Sequence, residues 1–232
     1  MDRTKTVVLG KGELAVKIAE WFHKSPNHDL IMVVPVMPEP GWCESFSDWA
    51  RLNHVHVVAS GDYKSIENRK FDLAISVYYD KIISQRFIDN CGVILNLHNA
   101  PLPKYRGVRP INWALKNQET EHGVTIHEIE AGIDCGPIYG QVKFGIDHKI
   151  DEVRDVYDRC LYHGWELFLD VMENLDSITP KPQDETKATY YSAKQNCELW
   201  ERSGWTKEES MPEYFRQSER LLSDFADRLV TG

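Results

Sequence analysis

The stretch Thr6-Val7-Val8-Leu9-Gly10-Lys11-Gly12-Glu13-Leu14-Ala15-Val16-Lys17-Ile18-Ala19-Glu20-Trp21-Phe22 joins a short apolar run to an amphipathic one through two glycines. Its first four residues read as a buried strand. From Glu13 on, Leu14, Ile18, Trp21 and Phe22 recur at i, i+4, i+7 and i+8 with Lys17 and Glu20 between them, the period of a helix with one buried face. The same rhythm returns downstream, where residues 30–35, 54–58, 73–77 and 93–98 read as strands with longer segments between them. Parallel neighbours need such crossover connections, and both faces of the resulting sheet need cover. The expected fold is α/β: a Rossmann-like, mostly parallel sheet flanked by helices.

Beyond the loop at 99–110, rich in Pro and Gly, a helix is expected from about Ile111, then strand-like runs at 123–129 and 138–144 with Gly132 and Gly136 bracketing the turn. Asp151 reads as an N-cap, and Val153, Val156, Tyr157, Cys160, Leu161, Phe168, Leu169, Met172 and Leu175 form one long helical stripe. Residues 179–189 have linker chemistry, so residues 1–180 are expected to form the main domain. Residues 181–232 then form a small C-terminal α+β subdomain, a candidate dimer contact. In it, residues 190–192 suggest a strand, 206–209 a capping box, and Tyr214, Phe215, Leu221, Leu222, Phe225 and Leu229 a last amphipathic helix.

Composition excludes several classes. The 232 residues are 42% apolar with seven tryptophans, an ordinary globular composition, and no apolar stretch approaches the roughly 20 residues of a membrane helix. The N-terminus carries no pattern of a secretory signal, so a cytoplasmic protein without membrane insertion is expected. Five scattered cysteines without a C-x-x-C pair argue against a disulfide framework or a zinc site. A formal charge of -9 repels phosphate backbones, which makes nucleic acid an unexpected main partner.

Asn96 and His98 end the run Val93-Ile94-Leu95-Asn96-Leu97-His98, and alternate residues of a strand share a face. In an open parallel sheet the carboxyl ends of strands form the ligand crevice, which places this pair for chemistry. Polar caps at strand ends are common, so the pair alone leaves an ordinary strand end as the alternative. Gly10-x-Gly12 looks like a dinucleotide fingerprint but reads as a tight turn, because no acidic residue ends the second strand; its helix N-terminus is also a candidate for a substrate's phosphates. His54 and His56 suggest metal ligands on one strand face, yet no third and fourth ligand is evident, and no metal is expected. His127 is expected in core or sheet, and Glu128 and Glu130 in solvent.

The run NLHNAPLPKYRGVRPINWAL, residues 96–115, followed by HGVTIHEIEAGIDCGPI, residues 122–138, resembles the 10-formyltetrahydrofolate-dependent formyltransferases. The resemblance is dense from about residue 71 to 140. It implies transfer of a formyl group from N10-formyltetrahydrofolate to an amine, with Asn96, His98 and Asp134 as the catalytic residues. Their chemistry suits the reaction. A side-chain amide at Asn96 stabilises the oxyanion, a contact worth on the order of 3 kcal/mol in acyl transfer. His98 moves the proton of the attacking amine, and Asp134 orients the imidazole. The segment Val77-Tyr78-Tyr79-Asp80-Lys81-Ile82-Ile83 resembles the pterin-binding loop, and residues 131–134 resemble its second wall. The cofactor contacts this implies are Tyr78, Tyr79, Lys81, Ile82, Ile83, Gly132 and Ile133.

Acceptors in this family include methionyl-tRNA, glycinamide ribonucleotide and nucleotide-linked amino sugars. The acidic charge and short tail disfavour tRNA. Glu13 and Leu14 replace the Ser-Asn of the purine enzymes' Gly-x-Gly-Ser-Asn phosphate loop. The wording of both motifs is most similar to the sugar N-formyltransferases of cell-surface polysaccharide (O-antigen) biosynthesis. The expected acceptor is a dTDP- or GDP-linked 4-amino-4,6-dideoxyhexose or a 3-amino relative. Lys104, Tyr105, Arg106 and Arg109 are candidates for the sugar and diphosphate, Trp200 and Trp205 for a base or a dimer contact, and a homodimer is expected. Two rivals rest on the sheet and glycine turn alone: a nicotinamide oxidoreductase and a noncatalytic nucleotide-binding protein.

Overall fold

The computed structural model of the chain describes residues 3–200. The expected terminal helix, the capping box at 206–209 and Trp205 lie outside the described residues, as does the Trp200 side chain. The strands are β1 (Thr4–Gly10), β2 (His28–Pro35), β3 (His56–Val57), β4 (Phe71–Val77), β5 (Cys91–His98), β6 (Arg106–Gly107), β7 (Glu121–Glu128), β8 (Ile138–Gly145) and β9 (Tyr190–Tyr191). The helices among them are α1 (Gly12–Lys24), α2 (Phe46–Leu52), α3 (Gln85–Asp89), α4 (Pro110–Lys116) and α5 (Val153–Asn174).

Seven strands form one sheet in the order β3-β2-β1-β4-β5-β7-β8. The first five are parallel, while β7 runs antiparallel to β5 and β8 antiparallel to β7. This is the mostly parallel, helix-flanked sheet of the Rossmann-like expectation. The turn after β1 is tight because Gly10 backs onto β4: a Cβ there would stand 2.2 Å from the Val77 carbonyl oxygen.

Two apolar clusters sandwich the sheet. On one side α1 and α5 pack on Val8, Ile75, Leu95, Leu97 and Ile126. Phe168 of α5 meets Trp21 and Phe22 of α1 edge-on, with ring centroids 5.3 and 5.6 Å away. On the other side Val7, Leu9, Met32, Ala74 and Ile94 surround Tyr63 and Phe87.

Three local expectations change. The N-cap of α5 is Glu152, in a capping box with Asp155, whereas Asp151 spends its carboxylate on Arg159 at 2.6 and 2.7 Å. His54 sits in the turn before β3 with φ 57, so it does not share a strand with His56. The segment read as linker is fastened to the main body by the pairs described below.

Candidate active site

Alternation along β5 sets up the site. Leu95 and Leu97 face α1 and α5, so Ile94, Asn96 and His98 face the other way, and Ile94 joins the second cluster. The antiparallel register with β7 sets His127 opposite Asn96 and Thr125 opposite His98. Thr125 braces the loop after β5: its hydroxyl donates to the Ala100 carbonyl at 2.7 Å and accepts from the Leu102 amide at 3.2 Å.

The loop between β7 and β8 returns to this group with Asp134. Asp134 Oδ2 stands 3.6 Å from His98 Nδ1, and Oδ1 stands 3.5 Å from His127 Nε2 and 3.4 Å from Asn96 Nδ2. The Gly107 amide donates to Oδ2 at 2.8 Å. Burial pushes the carboxyl of Asp134 upward, but the imidazoles of His98 and His127 and the Gly107 amide outweigh it and hold Asp134 well below the usual carboxylate range.

Backbone carbonyls fix both imidazole tautomers, since a carbonyl only accepts. His98 Nε2 donates to the Tyr105 carbonyl at 2.9 Å, which leaves Nδ1 as the lone pair in the neutral ring. That lone pair faces a carboxylate, and taking up a proton converts the contact into an ion pair. The position suits a general base. His127 Nδ1 donates to the Glu128 carbonyl at 2.8 Å, so its Nε2 accepts from Asn96 Nδ2 at 3.1 Å. One hydrogen of the Asn96 amide is thereby held. The other meets Asp134 only at the long 3.4 Å contact, which leaves it open to a better acceptor.

The other anticipated residues divide. Tyr78 tucks its ring inward and donates to Asn99 Oδ1 at 2.8 Å. The Tyr79 hydroxyl and Lys81 ammonium both donate to the Gly61 carbonyl, at 2.7 and 3.0 Å. Ile83 packs in the second cluster. Ile82, 77% exposed, and Ile133, 39% exposed next to Gly132, present apolar surface on the two loops expected to wall the folate. Tyr105 is buried, its hydroxyl donating to Glu119 at 2.7 Å and accepting from Asn117 at 3.1 Å. Arg106 binds Gln183 and Glu185. Lys104 reaches Glu119 at 3.4 Å. Arg109, exposed at φ 55 on the N-terminus of α4, makes no ion pair among the described residues.

The segment after α5 covers this group. β9 pairs in parallel with β6, Thr189 Oγ1 accepts from the Tyr105 amide at 2.7 Å, and Tyr191 stacks between Tyr105 and Trp113 with centroids 5.6 and 4.3 Å away. Gly107 is required here, because a Cβ would lie 2.2 Å from the Tyr191 carbonyl oxygen. His127, Gly107 and Gln183 went unassigned in the sequence reading. The alternation of Thr125 and His127 was the available signal for His127; its burial was anticipated, its cross-strand partners were not. No cluster of three or more His, Cys, Asp or Glu side chains among the described residues has metal-binding geometry.

His122, next to this group, is fully buried, with Nε2 donating to the Asn99 carbonyl at 2.8 Å and Nδ1 unpartnered. Burial, with a smaller push from His98, lowers its pKa from 6.5 to about 4 against the pull of the Asn99 bond and Glu119. The unfolded chain therefore binds the extra proton first, and stability is full above pH 6.5 and falls as pH drops toward 4. The loss approaches about 3 kcal/mol. Urea unfolding of wild type and His122→Gln at neutral pH and about pH 4.5 checks it: the variant is expected to lose less stability on acidification, and equal losses contradict the assignment.

Residues 48–172, more than half of the chain, match the family described as formyl transferase. The methionyl-tRNA formyltransferase of Fervidobacterium nodosum is 37% identical over 125 residues, 54% of this chain and 39% of its own length. That of a Nostoc species is 30% identical over 227 residues, 86% of this chain and 66% of its own length. The chain spans 36 to 66% of the length of such curated relatives. The crystal structure of WlaRD, a sugar 3N-formyl transferase, with dTDP and 5-N-formyl-THF is 30% identical with a TM-score of 0.74, over 84% of this chain and 72% of that one. The Helicobacter canadensis N-formyltransferase in complex with folinic acid and dTDP-3-aminofucose is 25% identical with a TM-score of 0.78, over 94% and 82% of the two chains.

Proposed function

The chain belongs to the formyl transferase family, and from that membership we propose that it transfers a formyl group from N10-formyltetrahydrofolate to the amine of a dTDP-linked amino dideoxyhexose. One observation carries the chemistry: His98 keeps Nδ1 free because Nε2 is committed to the Tyr105 carbonyl, with Asp134 beside it and Asn96 on the same strand face. The folate co-substrate supplies the formyl carbon. His98 Nδ1 takes the proton that the attacking amine releases and returns it to N10 of the folate as the formyl C–N10 bond breaks, and Asp134 stabilises the imidazolium in between. The second Asn96 N–H donates to the formyl oxygen as negative charge grows on it, in the manner of an oxyanion hole. Exposed Ile82 and Ile133 suit the face of a flat pterin, which buries them. Arg109 is the cation left for the diphosphate.

The sugar acceptor draws support from likeness over most of both chains to WlaRD and the Helicobacter canadensis protein, whose ligands are dTDP and a dTDP-3-amino sugar. They shift the preferred amine from the 4- to the 3-position. A second reading, methionyl-tRNA, has the names of the curated relatives in its favour, but the charge of -9 opposes RNA binding. We place the reaction in the cytoplasm, in a homodimer, on the way to a cell-surface polysaccharide such as O-antigen. Incubating the protein with N10-formyltetrahydrofolate and dTDP- and GDP-linked 3- and 4-amino sugars, glycinamide ribonucleotide or methionyl-tRNA decides the acceptor by mass spectrometry. A dTDP-amino sugar heavier by one formyl group is the expected product. Turnover with the ribonucleotide or the tRNA alone overturns the sugar assignment.

A further inference from the structure

Gln183 is 49 residues from Asp134 and 77 from Arg106 in sequence, yet it bonds both. Its Nε2 donates to the carbonyls of Asp134 at 2.9 Å and Gly136 at 2.7 Å, and its Oε1 accepts from Arg106 Nε at 3.1 Å and Nη2 at 2.7 Å. The partners dictate the orientation of the amide, because carbonyls only accept and guanidinium N–H groups only donate. Both hydrogens and both lone pairs are used.

One side chain thus ties the loop that carries Asp134 to the strand that carries Gly107, whose amide grips the same carboxylate. Asp134 itself has φ 50, a left-handed backbone that non-glycine residues adopt at a cost and that the surroundings must hold. We propose that Gln183 is a positioning residue for formyl transfer, locking the Asp134 carboxylate against His98 from a segment outside the catalytic motifs; this rests on the formyl-transfer reading. A plain anchoring role for the segment is the competing explanation, and Glu185 provides the comparison. Exposed Glu185 holds the same guanidinium, at 2.6 and 2.8 Å, but among the described residues makes no hydrogen bond to the Asp134 loop.

The test compares Gln183→Ala, Gln183→Glu and Glu185→Ala, each shown to be folded by circular dichroism. Both Gln183 variants lower kcat about 10- to 100-fold with KM little changed, since glutamate keeps the bond to Arg106 but brings a charge against two carbonyls. Glu185→Ala stays within about threefold of wild type, because Glu185 is itself exposed and Gln183 still holds Arg106. If Gln183→Ala keeps its kcat, or if it and Glu185→Ala lose activity equally, the positioning role is wrong. The Gly107 amide proton provides a readout without turnover: by NMR it moves upfield in Gln183→Ala as its bond to Asp134 loosens, and an unmoved resonance overturns the proposal. Wild-type protein inactive with every acceptor would refute the reaction, while the Gly107 resonance still tests the clamp.

Discussion

His98→Ala folds and loses about three orders of magnitude in kcat for formyl transfer, within the range that a positioned general base contributes. The variant removes Nδ1, the lone pair left over once Nε2 is committed to the Tyr105 carbonyl. No other imidazole takes its place, because His127 turns Nε2 toward Asn96 and ties Nδ1 to the Glu128 carbonyl. The expected loss lies in kcat rather than KM, since His98 is buried and offers little ground-state binding surface. Steady-state kinetics with circular dichroism as the folding control measures it, and a kcat within tenfold of wild type contradicts the role.

Asp134→Asn gives the second large effect, a fall in kcat of about two orders of magnitude or more. The amide matches the carboxylate in shape and its oxygen still accepts from the Gly107 amide, so the loop persists. What disappears is the negative charge facing His98 and His127 at 3.6 and 3.5 Å. Acid stability responds as well. Burial acting alone would raise the carboxyl, but its two histidines and the Gly107 amide hold it below its ordinary 3.8. A depressed carboxyl stabilises the fold above its unfolded value and loses that contribution as pH falls. Wild type therefore loses stability between about pH 5 and about pH 3 through this group, and Asp134→Asn does not. Denaturant midpoints at the two pH values measure the difference, and parallel losses contradict it.

The parallel sheet was legible because its information is local: apolar runs of strand length, a glycine turn that only close approach to Val77 explains, and α1 and α5 with one apolar stripe each. Asn96 and His98 were legible for the same reason, since two-residue alternation and the end of a strand are both written in consecutive residues. Asp134 was not legible this way. Its place depends on the β5–β7 register and on a hairpin loop that folds back toward β5, both long-range, and only the family resemblance pointed to it. Arg106 illustrates the reverse case. Its charge suggested a diphosphate, but a segment about 80 residues later supplies Gln183 and Glu185 as its partners. Linker composition at residues 179–189 gave no hint of this, because Pro and charge describe solvation and not side-chain pairing. Asp151 was the N-cap legible in the sequence, but its carboxylate pairs with Arg159 and the cap falls to Glu152.

The most direct test of formyl transfer at Asn96, His98 and Asp134 follows an isotopically labelled formyl group of N10-formyltetrahydrofolate by NMR in the presence of the dTDP-linked amino sugar. Wild-type protein is expected to place the label in an amide on the sugar, and His98→Ala to leave it on the folate over the same time. Label that emerges as formate with no sugar amide, or that reaches the sugar equally fast without His98, contradicts the account.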